Sequence, residues 1–161
     1  MEVASAVIHV KLIPVIVGLT IPRLLPITGT FALPLSAYYI FLQSRVIYYR
    51  IKFEKNIQST SSESEADDAL LASNRAQVNF TENVPLALAL AAIVELNGGS
   101  RKALTGFLSA LVVARVLHAE VGLMAKNYTG PGRPVGYFGT QGVIMGLAGY
   151  AAYLVKGYWE S

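Results

Sequence analysis

From Asn74 to Leu96 the chain reads NRAQVNFTENVPLALALAAIVEL, a helix-length apolar run with an arginine, an asparagine and a glutamate at its mouth. Arg75, Asn79 and Glu82 are separated by four and three residues, so at about 100° per residue they share one helical face. Ionisable groups within a spanning helix are costly, and they face the bundle interior or a site rather than lipid. The stretch therefore asks for a bilayer around the helix and a polar, zwitterionic partner against its stripe.

Composition agrees with the bilayer. Of 161 residues, 53% are hydrophobic and only 14% charged, and the mean hydropathy is +0.47, too apolar for an ordinary soluble domain. The absence of cysteine excludes a disulfide framework, a thiolate metal site and a cysteine nucleophile, so any thiol chemistry must use a thiol carried in by a ligand. There is no phosphate-cradling glycine loop and no histidine pair at metal spacing. The net charge of +3 is spread over loops, which removes the nucleic-acid and metal readings.

Residues 1–25 are apolar but interrupted by His9, Lys11, Pro14, Pro22 and Arg23. The unbroken part is short of the roughly 20 residues a crossing needs, so an interfacial or re-entrant lead-in is expected. A signal peptide and a fifth span ending in a turn at Ile27 to Thr30 are the alternatives. Four spans follow, at about 26–49, 76–96, 103–125 and 135–155. The first ends in SRVIYYRIKFEK, an aromatic and basic membrane interface. Arg50, Lys52 and Lys55 read there as topological, whereas Arg45, deepest in the segment, reads equally as a ligand contact. Residues Gln58 to Asp68, serine-rich and acidic, are expected to form a solvated linker.

The second span carries Pro85, expected to bend it below the polar stripe, and stops at Asn97-Gly98-Gly99. In the third, Arg115 and His118 are three apart and share a face, while Glu120 points elsewhere and either pairs with another helix or lies near the cytosolic end. The turn before the fourth span carries Arg133. Glycines 139, 142, 146 and 149 then form a small-residue stripe suited to close helix packing, and Tyr150, Tyr153, Tyr158 and Trp159 make an aromatic belt. Four spans put both termini on one side. The opposite side collects Arg45, Arg50, Lys52, Lys55, Arg75, Lys126 and Arg133, a basic bias that assigns it to the cytosol.

On that side Arg75, Asn79, Glu82, Arg115, His118 and Arg133 offer three cations, one anion and two neutral hydrogen-bonding groups. Glutathione asks for that mixture: two carboxylates for arginines, an ammonium for a carboxylate, and peptide groups for the rest. An adjacent arginine would favour its thiolate. An internal ion network that only fixes helix packing is the competing reading, but cations outnumber the one clear anion.

The spacing Arg-x-x-x-Asn-x-x-Glu-x-x-Pro, here RAQVNFTENVP, closely resembles the signature of the MAPEG family, the membrane-associated proteins of eicosanoid and glutathione metabolism. The resemblance covers about residues 31 to 155 and looks closest to microsomal glutathione transferases of the fungal and bacterial branch. It implies an all-α integral membrane protein, a four-transmembrane-helix bundle forming homotrimers in the endoplasmic reticulum, with glutathione between adjacent subunits. By matching position, Arg75, Asn79 and Glu82 resemble the glutathione-binding residues, with Gln77 a helper. Arg115 and His118 resemble the arginine and the tyrosine or histidine that line the same site, and Arg133 the arginine that stabilises the thiolate. Two positions depart from eicosanoid-pathway members, which carry tyrosines where Asn83 and Gly122 stand. The implied activity is conjugation of glutathione to a lipophilic electrophile, or reduction of one with it. A glutathione-independent isomerase or cyclase using His118 or Glu82 as acid or base, and a non-catalytic scaffold, are the alternatives.

Overall fold

The computed structural model describes residues 24–54, 65–125 and 130–160. The expectations for residues 1–23, for Lys55 and residues 58–64, and for Lys126 fall outside them. Among the described residues the regular structure is all helical: α1 (Pro26–Phe53), α2 (Glu65–Leu96), α3 (Arg101–Val116), which continues without a break as a π-helical segment (Leu117–Leu123), and α4 (Gly132–Trp159).

Helix α1 starts on a proline, whose fixed φ and missing N–H suit a first turn. Its exposed N–H groups are met from another helix. Glu95, near the end of α2, accepts the Ile27 N–H (2.7 Å) on one carboxylate oxygen, and the Thr28 N–H (2.8 Å) and hydroxyl (2.7 Å) on the other. Residues 27–30, where a turn closing a fifth span was one alternative, are therefore helical and capped. At its other end α1 closes through Glu54, in the left-handed conformation with φ 52°.

Helix α2 begins earlier than the acidic linker reading expects. Glu65–Asp68 are helical. The helix continues through Pro85. It ends where Gly98 takes φ 77° and the Gly99 N–H donates back to the Val94 carbonyl at 2.9 Å.

The core is a seam of aliphatic residues at helical spacing, among them Leu35 and Leu42 on α1, Ala87, Ala91 and Val94 on α2, Leu104, Leu108 and Leu111 on α3, and Leu147 on α4. Helix α1 packs on α2, and α4 packs on α3, the π segment and α2. Large apolar side chains such as Leu33, Phe138 and Met145 project outward, as a bilayer solvent requires. Three stretches, Ala69–Leu96, Arg101–Leu123 and Gly132–Trp159, are long and apolar enough to cross a membrane. Helix α1 is as long as α4, at 28 residues, but is not among those three.

The expected glycine stripe of α4 is divided. A Cβ at Gly139 or Gly146 would meet Ala114 or Phe107 of α3, whereas one at Gly142 or Gly149 would meet nothing within 4 Å from another element among the described residues. Tighter approaches lie earlier, where a Cβ on Gly130 would run into the Val121 oxygen, one on Gly132 into the Leu117 oxygen, and one on Gly136 would come within 2.5 Å of the Ala114 oxygen. Helix α4 leans on the π segment and α3 over Gly132, Gly136 and Thr140, at steps of four, and this turns Gly142 and Gly149 outward.

Candidate functional site

The close approach of α4 to the π segment opens a cleft of about 620 Å³ beside α2, within the range of small-molecule sites. Arg75, Asn79 and Glu82 enter from α2, His118 from the π segment and Arg133 from the first turn of α4. Val78, Leu123, Pro134, Tyr137 and Phe138 form an apolar wall, with Phe138 71% exposed on the outer surface. Charged and apolar side chains thus line the same cleft.

Each polar group is positioned by local sequence. The four-and-three spacing on α2 brings Arg75, Asn79 and Glu82 to one wall. The glycine contacts hold the start of α4 against the π segment, where the His118 Nδ1 hydrogen-bonds the Arg133 carbonyl at 2.9 Å. Wide turns of this kind inside α-helices recur at functional sites.

Arg115 lies behind the wall rather than in it. It is 3% exposed, and it donates from Nη1 to the Asn79 side-chain oxygen and from Nη2 to the Gly136 carbonyl at 2.9 Å. That carbonyl also accepts the Thr140 hydroxyl at 2.8 Å. With its oxygen held by Arg115, the Asn79 amide has its NH₂ group left to offer the cleft. Below it, Asn83 donates to the Asn79 carbonyl (2.8 Å) and accepts from Gln141 of α4 (3.0 Å), so a polar ladder joins α2 to α4.

Two other candidates stand apart. Gln77, two residues from both Arg75 and Asn79, falls on the other flank of α2 and reaches Thr81 at 3.4 Å. Arg45 is paired with Glu120: Nη1 lies 2.9 and 2.8 Å from the two carboxylate oxygens. Tyr38 donates to the same carboxylate at 2.8 Å. Glu120 thus does pair with another helix. Arg75, Glu82 and Arg133, by contrast, enter no ion pair or hydrogen bond through their side chains among the described residues.

Sequence reasoning missed the apolar wall and the Asn83–Gln141 bond. Tyr137 was legible, since it follows Arg133 by four on one helix. The π segment has no comparable signal.

The family model described as MAPEG family matches residues 28–153. No curated protein and no solved structure matches the chain.

Proposed function

The chain belongs to the MAPEG family, and from that premise we propose that it is a membrane-bound transferase joining glutathione to a lipophilic electrophile. The family includes glutathione transferases and related enzymes, and the protein is an integral membrane protein. The observation that carries the reading is the contrast within its charged groups. An internal ion network would have Arg75, Glu82 and Arg115 paired with one another. Instead Arg115 is held by an amide and a carbonyl, and the charges of Arg75, Glu82 and Arg133 remain available to a ligand beside an apolar wall.

In this reading Arg75 binds a glutathione carboxylate, Glu82 its ammonium and Asn79 a peptide or carboxylate oxygen. Arg133 faces the sulfur and favours the thiolate by its charge. The electrophile lies along Val78, Tyr137 and Phe138. Arg115 acts through Asn79 by fixing which way its amide points. The second carboxylate and the outward flank of Gln77 call for a neighbouring copy, so the functional unit is a homotrimer with sites between subunits. Helix α1 supplies the fourth crossing, and its basic end holds the site towards the cytosol of the endoplasmic reticulum.

Calorimetry with glutathione on the detergent-solubilised oligomer tests the reading. We expect binding, ultraviolet absorbance of the bound thiolate, and conjugation of 1-chloro-2,4-dinitrobenzene or reduction of a lipid hydroperoxide. Arg133→Ala should weaken the thiolate absorbance and the rate while leaving binding in place. A folded trimer that ignores glutathione would sink the proposal.

A further inference from the structure

The bond between His118 and Arg133 carries more than packing. A backbone carbonyl can only accept, so the Nδ1 that lies 2.9 Å from the Arg133 oxygen must bear the proton. In the neutral ring this leaves the lone pair on Nε2. That nitrogen has no protein partner among the described residues, and it is not among the buried polar atoms sealed without one. His118 borders the cleft, so its free nitrogen opens there. Charged groups reach the same space from each neighbouring element: Arg133 from α4, Arg75 and Glu82 from α2, with Arg115 behind.

Few groups lining the cleft can take a proton. Guanidinium groups stay protonated, an amide is no base, and in the reading above Glu82 must remain anionic to hold an ammonium. We infer that His118 is the base that removes the thiol proton of glutathione through Nε2, an inference that rests on the proposed transferase reading. The S–H bond breaks, its electron pair stays on sulfur, and a new N–H bond forms at Nε2. Thiolate and imidazolium arise together, so the net charge of the pair does not change. The sulfur then attacks carbon of the lipophilic electrophile. The displaced group leaves with that bond's electrons, or an opened epoxide oxygen becomes an alkoxide, and the proton on Nε2 passes to it or to water, restoring neutral His118. The same bond that sets the tautomer ties the base to the residue whose guanidinium stabilises the thiolate.

His118→Asn separates chemistry from positioning, because the shorter amide keeps a donor near the Nδ1 position for the Arg133 carbonyl and removes Nε2. Glutathione affinity by calorimetry should stay within about threefold of wild type, whereas thiolate absorbance should fall and conjugation slow by about 100-fold or more. An Asn variant that keeps both signals overturns the inference and leaves His118 as a positioning residue. A second measurement uses only the wild-type protein: calorimetry in two buffers of different ionisation enthalpy counts protons released on binding at neutral pH. Thiolate formation with no proton passed to the buffer is the expected result, and release of a full proton overturns the assignment. Wild-type protein that binds glutathione but fails this count refutes the base alone. Failure to bind glutathione at all overturns both the base and the transferase reading.

Discussion

Two clusters of charge sit in this bundle, and they are built from the same residue types to opposite ends. Between α1 and the π segment, Glu120 accepts from Nη1 of Arg45 and from Tyr38 within 3 Å, with Arg45 only 12% exposed and its Nε and Nη2 buried without a partner among the described residues. Across the π segment, Arg75, Glu82 and Arg133 surround a cleft without pairing among the described residues. Adjacent turns of the third helix serve both, since His118 faces the cleft and Glu120 faces α1. The difference teaches that an ionisable residue in a spanning segment is not by itself a site. What distinguishes the two is whether the fold has already supplied the counter-charge.

The largest expected effect comes from breaking the paired cluster. Glu120→Ala leaves a buried guanidinium without its anion and should destabilise the protein by about 3–5 kcal/mol, read by thermal unfolding in detergent. Replacing both partners, Arg45→Met with Glu120→Leu, should recover most of that loss, because it is the unpaired charge that is costly. If the single and double variants unfold alike, the pair is not an internal one.

The open cluster should respond in the opposite way. Arg75→Ala or Glu82→Gln should weaken glutathione binding by about 1.5–3 kcal/mol each, through loss of a charge-assisted contact. Stability of the unliganded protein should move by less than about 0.5 kcal/mol. Paired calorimetry and unfolding on one preparation decide this, and a large stability loss with unchanged binding would make the two clusters alike.

The smallest effect sharpens the comparison with a third carboxylate. Glu95 is satisfied by neutral donors, the Ile27 and Thr28 N–H groups and the Thr28 hydroxyl, so Glu95→Ala should cost about 1 kcal/mol, as loss of a helix N-cap does. The loss should appear as faster hydrogen exchange at those two amides, with glutathione binding unchanged.

Much of this was legible before any coordinates. Helical period alone brings Arg75, Asn79 and Glu82 to one face, and the spacing with its following proline identifies the family. The glycine pair after Asn97 marks the end of α2 for a local reason, because φ 77° at Gly98 is a conformation that favours glycine. Such features depend on residues within a turn or two of one another, where the backbone geometry is nearly universal.

Other features depend on elements far apart in the chain. That Arg45 belongs to Glu120 rather than to a ligand follows from a contact spanning 75 residues, and the carboxylate capping α1 is 67 residues from Thr28. The glycines of α4 have the right period for a seam, yet periodicity cannot say which pair meets a neighbour until the helix rotation is set. The sequence by itself determined a membrane-embedded helical protein with a charged stripe of a known family. Only the tertiary structure decided which of those charges are neutralised and which remain open, because partner choice depends on distances between helices that no local rule encodes.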